Sequence, residues 1–174
     1  RMDRLINLEK LNLSCNKIKD LPDTICNLKN LKELKCDENI IKEIPEDIEK
    51  LSSLEILDFS YNAIEYIPKS IGKLKNLKKL NLQGNIIKEI PEEIGELENL
   101  EELNLSYNKI EYLPDSIGKL KKLNELALSR NEIKSLNKNI KNLKNLEKLY
   151  LLANELTELP EEIGELENLK NIEL

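Results

Sequence analysis

The chain contains no histidine and no tryptophan, and only one methionine, one phenylalanine and three cysteines among its 174 residues. Without an imidazole there is no serine–histidine or cysteine–histidine nucleophile pair, no imidazole metal ligand and no general base poised naturally near neutral pH. Cys15, Cys26 and Cys36 are odd in number and show no CxxC spacing. Neither a disulfide framework nor a zinc site is expected, and a reducing, cytoplasmic setting fits best. Long apolar runs are also missing: none approaches the roughly 18 residues of a membrane span, and no signal-peptide pattern opens the sequence. Basic charge is in deficit, with 27 Lys+Arg against 33 Asp+Glu and a net charge of −6. Only Arg1, Arg4 and Arg130 could offer guanidinium forks. Nucleic acid is therefore not an expected partner, since phosphate binding needs a basic face.

What is abundant is regular. Asn16, Asn39, Asn62, Asn85, Asn108, Asn131 and Asn154 follow one another at intervals of 23 residues. On that period Leu8, Leu31, Leu54, Leu77, Leu100, Leu123, Leu146 and Leu169 fall in one column, and Leu11, Leu34, Leu57, Leu80, Leu103, Leu126, Leu149 and Ile172 in the next. All six prolines share a column, in which Asn137 is the exception, and Gly72, Gly95, Gly118 and Gly164 share another. The unit reads LxxLxLxxNxIxxIPxxIGxLxx. Residues 1–174 divide into a partial repeat 1–7, seven repeats (8–30, 31–53, 54–76, 77–99, 100–122, 123–145 and 146–168) and a partial repeat 169–174, forming one domain.

The LxxLxLxxN signature resembles that of leucine-rich repeat proteins over the whole chain. The 23-residue unit with its IP or LP step is similar to the Ras-group-like type of intracellular and bacterial members. The resemblance implies a right-handed horseshoe solenoid and an interaction role for its concave face, with no named ligand.

The residues lead to the same architecture by physical steps. In the LxLxx stretch apolar and polar residues alternate, as in a strand with one buried face, and one strand per 23 residues implies a parallel stack. The returning half has Ile94, Leu97 and Leu100 at three-residue spacing after Pro91. That suits a short helical or 3₁₀ piece begun by proline and kept short by Gly95. The fold class is α/β, with a parallel sheet on the concave face and helical turns on the convex face. The asparagine column stands where the strand leaves the sheet, and an amide there can both donate to and accept from backbone groups that lose ladder partners. No polar caps flank the array, as exposed solenoid ends require. It reads either as a window on a longer array or as a short one whose ends are covered by a partner or by end-to-end self-association.

Counting from the first leucine, positions three, five and seven should point from the concave sheet to solvent. The binding candidates there are Ile56, Asp58, Lys79, Asn81, Gln83, Glu102 and Asn104. Tyr61 and Tyr107 precede the asparagine on either side of Gly84, and Tyr66 and Tyr112 follow five residues later. Two tyrosines flanking a glycine suggest a slot about 10 Å across. Ala127, Tyr150, Leu152 and Ala153 form a second expected exposed apolar cluster. Desolvated aromatics with a polar surround favour protein contacts. On the convex side a basic band (Lys69, Lys73, Lys75) adjoins an acidic one (Glu92, Glu93, Glu96, Glu98), and Lys138, Lys141 and Lys144 adjoin Glu161, Glu162, Glu165 and Glu167. The Gly-Lys pairs at Gly72 and Gly118 lack the rest of a phosphate loop.

No catalytic residue, metal or cofactor is expected. The function expected is protein binding by a scaffold module. Two alternatives remain open: the recognition or sensor part of a larger GTPase, cyclase or ubiquitin ligase, and a self-associating array.

Overall fold

The structure, a computed structural model, describes residues 2–174. Arg1, one of the three arginines weighed above, lies outside the described residues. Eight three-residue strands, β1 (Lys10–Asn12), β2 (Glu33–Lys35), β3 (Ile56–Asp58), β4 (Lys79–Asn81), β5 (Glu102–Asn104), β6 (Glu125–Ala127), β7 (Lys148–Tyr150) and β8 (Asn171–Glu173), form one parallel sheet in chain order. The register never slips: Leu34 faces Leu11 and Leu57, Leu103 faces Leu80 and Leu126, and so on to Leu149 and Ile172. A single-residue slip would turn the leucine column to solvent, so its burial holds the register.

Four of the eight three-residue strands end in a polar residue whose side chain bonds the backbone that follows. The side-chain oxygens of Asn12, Asp58, Asn81 and Asn104 accept from the backbone N–H two residues on, at 2.9 to 3.2 Å. Bonding between repeats nevertheless continues past the strand, from Leu82 N–H to the Asn104 carbonyl and from Gly84 N–H to the Ser106 carbonyl. The residue before each ladder asparagine then takes a left-handed conformation. Cys15, Glu38, Tyr61, Tyr107, Arg130 and Ala153 have φ between 52° and 58°, and Gly84 has 69°.

Each returning limb holds one 3₁₀ turn, for example Lys69–Lys73, Glu92–Glu96 and Asp115–Lys119. Proline stands just before the turn with extended dihedrals (Pro91 φ −70°, ψ 150°), where its missing N–H is not needed. Asn137 replaces it once, and its side chain accepts from the Asn139 N–H at 2.8 Å. Gly95 lies inside its turn and does not terminate it, contrary to the expectation from spacing. Its role is close approach: a Cβ at Gly95 would sit 2.5 Å from the Ser116 carbonyl oxygen, and one at Gly72 2.6 Å from that of Glu93. The missing side chain lets adjacent turns stack.

Between sheet and turns runs one continuous core of leucine and isoleucine, in which Phe59 and Cys36 take leucine positions and are fully buried. Burial pushes the thiols up, to about 12 at Cys36 and about 11 at Cys26. Exposed Cys15 is raised by the neighbouring Glu38 carboxylate. A disulfide-exchange reagent at pH 8 should label Cys15 alone in the folded protein and all three thiols after denaturation. Fast labelling of Cys36 in the native state would contradict its burial. The sign for stability follows: the raised thiols favour the folded state below the ordinary thiol pKa of about 8.5, and that contribution is lost as pH rises through 11 to 12. Among the described residues no helix is long and apolar enough to cross a membrane.

Candidate binding face

The asparagine ladder sets the geometry of the face. The Asn85 amide donates to the Leu82 carbonyl of its own repeat and to the Phe59 carbonyl of the preceding one, each at 3.0 Å, while its oxygen accepts from Ile64 N–H at 2.9 Å. Asn39, Asn62, Asn108, Asn131 and Asn154 repeat the pattern, and Asn16 donates within its own repeat. The ends of β1 to β7 are therefore fixed against a neighbouring repeat. Side chains on the concave face project from a frame whose backbone is already satisfied.

On that frame lies a shallow groove of about 340 Å³ running from Lys35 to Glu125 across β2 to β6. Ile56 sits within it, in register between Glu33 and Lys79. Lys79 pairs with Glu102 at 2.7 Å, Lys148 with Glu125 at 3.0 Å, and Glu33 with both Lys35 and Lys10 at 2.9 and 3.2 Å. The two lysines hold the Glu33 carboxyl below its ordinary range. Asp58, Asn81, Gln83 and Asn104 line or flank the groove, but much of their bonding capacity is used internally. Asn81 donates to Asp58 at 3.1 Å, Asn104 to the Gln83 side-chain Oε1 at 3.0 Å, and Gln83 to the Tyr61 hydroxyl at 2.8 Å. Ser60 and Ser106, at position seven, are buried and do not face solvent.

The tyrosines do not frame an open slot. The Tyr61 ring lies over Gly84, where an added Cβ would be 2.6 Å from its Cδ1. Tyr107 leans the same way, onto the next repeat, with the Arg130 guanidinium 5.2 Å from its ring centre. Tyr112 has the Lys134 ammonium 5.9 Å from its ring centre, and Tyr66 is exposed beside Pro68 and Pro91. The left-handed backbone at Tyr61 and Tyr107 turns each ring along the solenoid axis.

The second apolar cluster is also smaller than expected. Ala127 is buried at 7% exposure, being small and in register between Asn104 and Tyr150. Tyr150 is half-buried, while Leu152 and Ala153 are exposed.

Several columns escaped the sequence reading although the same period carries them. Asn30, Asn76, Asn99, Asn145 and Asn168 form a second ladder, each donating to a carbonyl 24 residues back at 2.6 to 2.8 Å. Position two alternates Glu9, Lys32, Glu55 and Lys78, and these pair at 3.1 and 2.8 Å. The Glu92 carboxylate accepts from the backbone N–H groups of Asp115 and Ser116, at 3.2 and 3.0 Å, at the start of the next turn. The convex bands meet as loose pairs, Lys73 with Glu96 at 3.8 Å and Lys141 with Glu165 at 3.7 Å.

Comparison with known families and structures gives a consistent result. A family model described as a leucine-rich repeat region matches residues 66–174, and two further leucine-rich repeat models match 29–87 and 6–51. A search of curated proteins gives no match. Among solved structures, a leucine-rich repeat protein of Leptospira interrogans is 38% identical with a TM-score of 0.74, over 99% of this chain and 52% of that one. The plant peptide hormone receptor RGFR1, in complex with RGF2, is 30% identical with a TM-score of 0.90, over 99% of this chain and 29% of its own. The Arabidopsis receptor kinase HAESA, in complex with the peptide hormone IDA and a co-receptor, is 31% identical with a TM-score of 0.88, over 99% and 31%. The chain thus spans about half the length of the bacterial protein and about a third of each plant receptor.

Proposed function

Since the chain belongs to the leucine-rich repeat family, whose fold is a common protein-interaction module and whose members are typically non-enzymatic, we propose that it binds a protein partner through its concave groove and the edge beside it, without catalysis. The observation that carries this is the groove itself. Its backbone is satisfied from repeat to repeat, and its side chains are held in place by bonds such as Asn104 to Gln83 and Gln83 to Tyr61. Little conformational freedom is left to lose on association, which favours affinity. Ile56, on β3, supplies apolar area toward one end of the groove, and Lys79, Glu102 and Glu125 supply a charge pattern that a partner can complement. The peptide complexes of the two plant receptors support a recognition role for the fold.

Affinity capture from the source cell tests it. A partner retained by the parent chain should be lost, or bind at least about tenfold more weakly, with Ile56→Asp plus Lys79→Glu, or with Tyr61→Ala plus Tyr107→Ala. Equal retention by both double variants sinks the assignment.

A further inference from the structure

Tyr61, Tyr66, Tyr107 and Tyr112 are the exposed tyrosines, and all but one have a partner supplied by the chain itself. Tyr61 packs over Gly84, and its hydroxyl accepts from Gln83. Tyr107 and Tyr112 each hold a cation on the ring, Arg130 and Lys134, drawn by the negative face of the π-system. Among the described residues no cation stands over the Tyr66 ring, and no side chain donates to its hydroxyl. Lys88, which shares a column with Lys134, lies neither over that ring nor along the cavity it opens onto.

That cavity, of about 540 Å³, lies between the proline segments of the third and fourth repeats, with Ile67 and Ile90 in its apolar lining. Its charged lining is four carboxylates, Glu46, Glu89, Glu92 and Glu93, against one ammonium, Lys69. Glu92 is committed to the backbone N–H groups of the next turn, and Glu93 pairs loosely with Lys69 at 3.8 Å. Among the described residues Glu46 and Glu89 are exposed and make no ion pair. Partial desolvation, then the nearby carboxylates of Glu43 and Glu46, push the Tyr66 hydroxyl up. Lys42 and Lys88, the chain neighbours of Glu43 and Glu89, do not line the cavity. The excess of negative charge around this ring is therefore local. A cavity of about 560 Å³ at the last full repeat has three glutamates and one lysine in its lining, but Ser135 stands there in the column of Tyr66. It offers carboxylates without a ring.

We infer that the cavity beside Tyr66 takes an arginine side chain from a basic segment of a protein partner. The chain shows the chemistry itself at Tyr107 and Tyr112, where a cation completes the ring. Arginine suits the place better than lysine, because its planar guanidinium stacks on an aromatic face while its forked donors reach carboxylates. Glu46 and Glu89 are the acceptors left free for that fork. The aliphatic stem of arginine covers the apolar surface of Ile67 and Ile90. A bare cation would leave most of the space unfilled, since the volume is of the class that holds a drug-sized molecule. None of the residues lining this cavity lines the concave groove. The site therefore adds a second contact to the protein-binding assignment, on which it rests for the kind of partner.

The test is an NMR titration with a blocked pentapeptide carrying one arginine among alanines, against its citrulline counterpart, which keeps the shape and removes the charge. The arginine peptide is expected to shift the Tyr66 ring resonances saturably, while those of Tyr112, already capped by Lys134, move little. Tyr66→Ala identifies those resonances and should abolish saturation. The dissociation constant should rise at least about fivefold in Glu46→Gln plus Glu89→Gln. It should stay unchanged in Glu161→Gln plus Glu162→Gln and in Ile56→Asp plus Lys79→Glu. Tyr66, Glu46 and Glu89 are exposed, so their substitution leaves the fold intact, which circular dichroism verifies. No saturable shift at Tyr66, or equal saturation by the citrulline peptide, overturns the inference. Guanidinium chloride that saturates at the same concentration as the peptide also overturns it, in favour of a small cation. Loss in the Glu161 and Glu162 variant with normal binding by the Glu46 and Glu89 variant overturns it in favour of the acidic band. Loss confined to Ile56→Asp plus Lys79→Glu overturns this site and leaves the concave assignment standing.

Discussion

Replacing Asn85 with alanine is expected to lower the unfolding free energy by about 2 kcal/mol, the cost of one buried N–H left without a partner and two buried carbonyls that each lose a donor. The Ile64 N–H loses its acceptor, while the Phe59 and Leu82 carbonyls each lose one of two amide donors and keep those of Asn62 and Asn108. Water cannot readily replace the amide, because the flanking residues Phe59, Ile64 and Leu82 are themselves fully buried. Asn16 is the internal comparison: it is exposed and donates only within its own repeat, to the Leu13 and Ser14 carbonyls. Asn16→Ala should cost less than about 1 kcal/mol. Urea titrations of both variants decide the matter, and equal losses would show that the column matters only as a turn former.

Gly95→Ala is the second large effect. The added methyl would stand 2.5 Å from the Ser116 carbonyl oxygen and 2.6 Å from the Ser116 Cβ, and neither is the movable end of a long side chain. The adjoining turns must part, at a cost of about 3 kcal/mol by comparison with overpacked cores. Gly164 occupies the same column in the last full repeat with nothing within 4 Å of an added Cβ. Gly164→Ala should be neutral, or stabilising by about 0.5 kcal/mol through a less flexible unfolded chain. A thermal melt of Gly95→Ala that matches Gly164→Ala would refute the close-approach role.

This pair of glycines shows where reading the sequence stopped. A period of 23 residues reveals the column but not its partner, since Gly95 and Gly164 are the same letter with different neighbours. The solenoid was legible because leucine spacing dictates which side chains are buried, and burial dictates register. The candidate site was less so. Asp58, Asn81 and Asn104 read as free polar contacts, yet each oxygen that accepts from the backbone two residues on is already committed. Tyr61 and Tyr107 read as two walls, but a left-handed φ swings both rings one repeat onward. Ala127 read as exposed, because a column shows the residue's own size and not that of Asn104 and Tyr150 beside it.

The ladders have a consequence for how the molecule is assembled. Their cross-repeat bonds join groups 21 to 26 residues apart, whether at Asn39 or at Asn154. The loops that must close to form them therefore stay short at any array length, and their entropic cost is the same for each addition. A newly synthesised repeat can dock on its predecessor as soon as its own residues have emerged, without waiting for the rest of the chain. Growth by increments of equal difficulty gives a fast, directional zipper, in which a defect such as a lost ladder asparagine stalls the step at which it arrives and leaves earlier steps untouched.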